Sequence, residues 1–158
     1  MTERTTNLLE NLEITRIFDA PRELVWKAWT DPDLVMRWWG PNGFTSPACK
    51  IDFRVGGQYL YCMRTPDGWE GWSGGEYTEI IVPEKIASVL FYADQNGRVE
   101  PAEKNDVEVR DVVTFEDLGN GQTKMVFKRS HWDEGEDIGI VQILDKLAAT
   151  VAQLAARA

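Results

Sequence analysis

Asp133-Glu134-Gly135-Glu136-Asp137-Ile138-Gly139-Ile140-Val141-Gln142-Ile143-Leu144-Asp145-Lys146-Leu147-Ala148-Ala149-Thr150-Val151-Ala152-Gln153-Leu154 reads as one long helix. Ile138, Val141, Leu144, Leu147, Ala148, Val151 and Leu154 recur at the spacing of a helical face. Gln142, Lys146, Thr150 and Gln153 trace one narrow polar stripe between them. Asp133 is a candidate cap with Glu136 as its capping-box partner. Acidic Glu134, Glu136 and Asp137 suit the positive end of a helix dipole. The pattern predicts a helix over residues 134–155. Its apolar face is too wide for one neighbouring helix, so it must lie on something broad, and a sheet is the only candidate in the chain. Gly139 withdraws a side chain where helix and sheet would meet, which either leaves room for a ligand or allows close packing.

The sheet is legible upstream. From Ser46 to about Arg129 the hydrophobic period is two. Cys49, Ile51 and Phe53 alternate with Lys50, Asp52 and Arg54, and Gly56-Gly57 turns the chain. Tyr59, Tyr61 and Met63 alternate with Leu60, Cys62 and Arg64, and Thr65-Pro66-Asp67-Gly68 turns it again. The next strand runs from about Trp69 to Val82, with Gly71, Gly74 and Gly75 as candidate bends of a strongly curved sheet. Ile86 to Tyr92 follows. Residues 94–106, with Asn96-Gly97 and Pro101, read as a loop. Val107–Phe115 and Lys124–Lys128 form a hairpin about Leu118-Gly119-Asn120-Gly121. Segments in series with short turns make an antiparallel meander.

Before this run, residues 1–11 are polar and read as a flexible terminus, followed by a single domain over residues 12–158. Leu12 to Phe18 is a short strand. Pro21 suits the first position of a helix carrying Leu24, Val25, Ala28 and Trp29 on one face. Asp31 caps a second short helix with Pro32 in its first turn, and Trp38-Trp39-Gly40-Pro41 stops it. The expected fold is α+β, a helix grip: a curved antiparallel sheet of six or seven strands, two short N-terminal helices and a long C-terminal helix.

Composition narrows the function classes. The chain has 43% hydrophobic and 27% charged residues, the balance of a globular domain, and seven Trp. Its net charge of −9 disfavours nucleic acid and anionic membrane surfaces as partners. No apolar run of 18 residues is present, so no membrane span is expected. Met1-Thr2-Glu3-Arg4-Thr5-Thr6 has no apolar segment of a secretion signal, and the expected location is cytoplasmic. Cys49 and Cys62 lack the spacing of a zinc site and read as free thiols in strands, so no metal and no disulfide is expected. One histidine cannot build a multi-His metal site, and no cofactor motif is present.

The order strand, two helices, strands, long helix resembles the helix-grip order of the START-like (SRPBCC) superfamily, which includes birch-pollen-allergen-like proteins, polyketide cyclases and lipid-transfer domains. Three motifs are closer to one branch. Asp19-Ala20-Pro21-Arg22-Glu23-Leu24-Val25-Trp26-Lys27-Ala28-Trp29-Thr30-Asp31-Pro32 looks like its opening helix, Arg37-Trp38-Trp39-Gly40-Pro41 resembles its WWGP signature, and Lys50-Ile51-Asp52-Phe53-Arg54-Val55-Gly56-Gly57 resembles its D-x-R-x-G-G strand and turn. That branch is the Aha-type family, named after the C-terminal domain of the heat-shock-chaperone ATPase activator. The resemblance covers about residues 12 to 155. It implies the fold and brings no catalytic residues to carry over. The resemblance is to the C-terminal domain of the full activator and not to its separate N-terminal domain, so that activity is not implied.

The fold encloses space, and the candidate lining follows from it. The final helix around Gly139 and Ile143, the concave sheet face with Trp72, Tyr77 and Tyr92, and the Trp38-Trp39 segment should bound an apolar cavity. In Trp38-Trp39 one ring is expected to plug the core and the other to seal the helix–sheet gap, the alternative being a ligand-gating role. His131 and Trp132, expected between the last strand and the helix, are candidates for the cavity mouth, with His131 either a polar group there, a general base, or a purely structural residue. Asp52 and Arg54, two apart on one strand face, suit a structural ion pair or a contact with the turn at Gly56-Gly57, the alternative being a ligand anchor. Arg110 and Asp111 fall on opposite strand faces, so one points inward and is a candidate anchor. The expected function is binding of a small apolar molecule, by a monomer or homodimer. The alternatives are a co-chaperone-like domain with a protein partner, and a cyclase- or hydrolase-like enzyme acting in the cavity.

Overall fold

The protein is described by a computed structural model covering residues 8–94, 98–104 and 107–157. Its strands are β1 (Leu8–Phe18), β2 (Cys49–Ile51), β3 (Gln58–Arg64), β4 (Glu70–Ile81), β5 (Lys85–Ala93), β6 (Val99–Pro101), β7 (Glu103–Lys104), β8 (Val107–Glu108), β9 (Arg110–Gly119) and β10 (Gln122–Asp133). Helices α1 (Arg22–Thr30) and α2 (Pro32–Trp38) follow β1, and α3 (Glu136–Arg157) ends the chain. The main sheet runs β1-β10-β9-β5-β4-β3-β2, with β6 added on β5, and every pairing is antiparallel. With α3 laid across its curved face, this is an α+β helix-grip fold.

Period two places one set of side chains inward. Tyr61 on β3, Tyr77 on β4, Ile86 on β5, Val113 and Phe115 on β9, and Met125 and Phe127 on β10 are buried. From α3 they meet Ile140, Ile143, Leu144, Leu147 and Val151. By length and composition α3 could cross a membrane; here that apolar face is packed on the sheet. Burial of these large side chains is the main stabilising term, at about 1.5–3 kcal/mol each.

The short helices begin as their sequence predicts. The Asp31 carboxylate accepts the Asp33 N–H at 3.0 Å, with Pro32 opening α2. Pro21 sits one position earlier than expected, as the N-cap of α1. Trp38 is fully buried and its Nε1 donates to the Ala28 carbonyl at 3.0 Å, so the second helix is tied to the first through the core. Gly40 then turns the chain with φ +99.

The polar stripe of α3 has a task that periodicity did not reveal. Gln142 Oε1 accepts the Asn42 N–H at 3.0 Å, and Lys146 Nζ donates to the carbonyls of Gly40 at 2.8 Å and Phe44 at 3.2 Å. Arg37 bonds Gln153, and Thr150 is buried. The stripe therefore clamps the segment that follows the two tryptophans onto the helix. Burial lowers the pKa of Lys146 below the usual lysine value.

Several boundaries differ from expectation, each for a tertiary reason. β10 runs to Asp133, past Lys128, and its added length pairs with Leu8, Leu9 and Glu10. Residues 8–11 are therefore part of β1 rather than a frayed end, while residues 1–7 lie outside the described residues. His131 and Trp132 accordingly sit within β10 and not in a connection. The 94–106 segment contributes β6, which pairs with Phe91 to Ala93, and β7, which pairs with β8. Asn96-Gly97 falls outside the described residues. α3 starts at Glu136, whose Oε1 accepts the Asp133 N–H at 3.0 Å, so the capping-box partner holds the end of β10.

Candidate functional site

Between α3 and the inner sheet face lies a pocket of about 400 Å³. One wall is aromatic. Tyr59, Tyr61 and Tyr77 stack with ring centroids 4.8 and 5.1 Å apart, and Tyr61 meets Trp39 at 4.8 Å. Trp38 stands edge-on to Trp29 at 4.8 Å behind them. Ile86, Leu90, Val109 and Val113 continue the wall across β5 and β9. Pro41, Gly139, Ile140, Ile143 and Leu144 close it from the helix side. Trp69 and Tyr92, 60% and 50% exposed, also line it, so the pocket reaches the surface beside them.

The glycines of β4 do something other than leave space. A Cβ on Gly75 would sit 2.6 Å from the Tyr59 hydroxyl, and one on Gly71 2.6 Å from the Trp69 ring. Both glycines are places where an aromatic ring lies flat on the backbone. A Cβ on Gly139 would meet only Pro41, at 3.9 Å, so the helix keeps ordinary clearance there.

A polar group set interrupts the apolar lining. Asp111 on β9 is the inward member of the Arg110–Asp111 pair; it is buried, while Arg110 is exposed and bonds Glu108 at 3.0 Å. Arg129 on β10 donates from Nε and from one terminal nitrogen to the two Asp111 carboxylate oxygens, both at 2.8 Å. Its other terminal nitrogen donates to Glu136 at 3.1 Å. Burial would lower the Arg129 pKa, but Asp111 and then Glu136 hold it above its usual value. Tyr59 and Ser88 share a hydroxyl–hydroxyl bond of 3.0 Å beside this group. Burial, first of all, raises the pKa of Tyr59, Tyr61 and Tyr77, so all three phenols are neutral in the fold.

Of the residues singled out in the sequence, Trp38, Trp39, Trp72, Tyr77, Tyr92, Gly139 and Ile143 line this pocket. His131 and Trp132 do not: the His131 ring bonds the Ser130 hydroxyl at 3.0 Å and stands 3.9 Å from Glu10 on β1. Extension of β10 set them beside β1 in the sheet instead of at the mouth. Asp52 and Arg54 form an exposed pair at 3.0 Å, away from the pocket. Sequence reading missed Arg129, Tyr59, Ser88 and Trp69; the signal for Tyr59 and Arg129 was their place in the inward half of an alternating strand. Cys49 and Cys62 are free thiols. Among the described residues no group of three or more His, Cys, Asp or Glu is arranged to hold a metal.

Residues 19–152 match the family described as Activator of Hsp90 ATPase homolog 1-like protein. The chain belongs to that family. Solved structures similar to this Activator of Hsp90 ATPase homolog 1-like domain agree. A protein of Chromobacterium violaceum shares 26% identity with a TM-score of 0.71, over 90% of this chain and 96% of that one. One from Arthrobacter aurescens shares 25% identity with a TM-score of 0.73, over 90% and 86% of the two chains. The AHSA1 protein of Silicibacter pomeroyi, at 21% identity and a TM-score of 0.70 over 90% and 98%, shows the same fold. Among curated proteins none matches significantly.

Proposed function

We propose that this domain binds a small apolar molecule in the pocket between α3 and the concave sheet. The observation that carries this reading is a space of about 400 Å³ with a largely apolar, aromatic lining and a few convergent polar groups. That is the size and character of small-ligand sites, which run from about 300 to 1,000 Å³. An opening beside exposed Trp69 and Tyr92 supports entry from solvent. Nothing comparable favours an enzyme: His131 lies off the pocket, and Asp111 is engaged by Arg129.

The test is thermal stability across a broad panel of apolar compounds. A ligand selecting the folded state at one hundred times its dissociation constant should add roughly 2.7 kcal/mol. For a chain of this length that is a rise in Tm of roughly 5–11 °C. Gly139→Leu puts an isobutyl group beside Pro41 and should remove the rise while the protein still folds. No shift across the panel, or an undiminished shift in Gly139→Leu, argues against the reading, and a co-chaperone-like contact with a protein would take its place.

A further inference from the structure

The charge arrangement inside the pocket points to the class of ligand. Arg129 is the only Lys or Arg among the described residues that line it. That guanidinium is already held: Asp111 takes it in two bonds of 2.8 Å and Glu136 in a third of 3.1 Å. An anionic ligand would have to displace a buried carboxylate that is fixed in a forked geometry, or else lie desolvated without a counter-charge, and either is costly. A cationic ligand would find both carboxylates engaged, Asp111 by Arg129 and Glu136 by Arg129 and the Asp133 N–H. The other polar side chains of the lining, among them the hydroxyls of Tyr59, Ser73 and Ser88 and the indole N–H groups of Trp29, Trp39 and Trp72, are uncharged. Around them stand flat rings, Trp38, Trp39, Tyr61, Trp72 and Tyr77, which favour stacking with another ring.

We infer that the pocket selects uncharged, ring-bearing apolar molecules carrying a hydroxyl or carbonyl, and rejects anionic amphiphiles of the same size. This inference rests on the pocket being a ligand site, as proposed above. It adds a specificity that follows from one ion-pair cluster: Asp111 and Glu136 together close Arg129 to carboxylates, so a pocket that holds an arginine offers no free positive charge.

Calorimetric titration with three matched probes separates the outcomes: 2-naphthol, 2-naphthoate and 2-naphthylmethylammonium at neutral pH. The naphthol should bind, with both charged probes weaker by more than about tenfold. Naphthoate or the ammonium binding as tightly as naphthol overturns the selectivity but leaves the pocket a ligand site. Failure of all three to bind removes both. Ser73→Lys brings an unpaired cation to the β4 wall without touching the ion pair, and should make naphthoate the preferred probe. Asp111→Asn, which removes the counter-charge and keeps only one of the two oxygens that now accept from Arg129, should move the preference in the same direction. If a folded variant of either kind still binds naphthol and gains nothing toward naphthoate, the missing counter-charge is not what excludes anions.

Discussion

Replacing Arg129 with Met leaves the Asp111 carboxylate without the two N–H donors that now meet it at 2.8 Å. Both side chains are nearly closed to solvent, at 11% for Arg129 and 12% for Asp111, so little water reaches the stranded group. Breaking a buried pair from one side costs about 3–5 kcal/mol. The pocket opens to the surface, and hydration through it favours the lower end, about 3 kcal/mol. For a chain of this length that corresponds to a fall in Tm of roughly 6–12 °C. Equilibrium urea unfolding is the sharper assay: the midpoint should fall with an unchanged slope, because the surface exposed on unfolding is the same. The double variant Asp111→Leu/Arg129→Met removes both charges and should recover most of the loss, since apolar side chains of similar volume replace buried ion pairs at little cost. A loss below about 1 kcal/mol for Arg129→Met, or a double variant as unstable as the sum of the singles, would refute the argument that an unpaired buried charge sets the penalty.

Gly75→Ala should destabilise by about 1–3 kcal/mol, because its Cβ would stand 2.6 Å from the Tyr59 hydroxyl and push that ring off Ser88. Gly139→Ala, whose Cβ meets only Pro41 at 3.9 Å, should instead stabilise by about 0.5–1 kcal/mol; thermal melts of the pair giving equal effects would contradict the packing described. Alkaline pH should unfold the protein. Burial, with Asp31 and Asp33 adding to it, pushes the Cys49 thiol up to about 12, and burial also raises Tyr59, Tyr61 and Tyr77. Each raised acid contributes stability that is whole below its unfolded value, near pH 9 for the thiol and 10 for the phenols, and that is lost as pH climbs toward the folded value. Tm should be level up to about pH 9 and fall above it, and ionisation of these three phenols, followed at 295 nm, should coincide with unfolding. Their titration near pH 10 in a protein with native near-ultraviolet dichroism would show that they are not buried as described.

The order of elements, the antiparallel pairing of neighbours and the apolar face of α3 were all legible in the chain, because they rest on local periodicity: two for the strands, 3.6 for the helix. The turn at Gly119, Asn120 and Gly121, where φ is +84, +55 and +74, was legible for the same local reason, since glycine and asparagine tolerate that backbone. So was the cap at Asp31. Trp38 is fully buried, and both Trp38 and Trp39 line the pocket. What alternation cannot tell is which of two faces is inward, and so Asp111 could be named only as one of two candidates. Its meeting with Arg129 joins positions 18 apart on two paired strands, and the register that brings them together belongs to the β9–β10 ladder. The polar stripe of α3 was likewise legible only as a stripe, and the partners it bonds, the carbonyls of Gly40 and Phe44, lie more than 100 residues away in sequence. His131 moved off the pocket because β10 continued along β1, a gain that depends on a partner strand from the opposite end of the chain. Local pattern was enough for the main strands and helices, the helix-grip order and the apolar interior, though not for β6 and β7, whose segment read as a loop. Which charges face the pocket and how they pair is a property of the packed fold, because those contacts form between side chains that no local period connects.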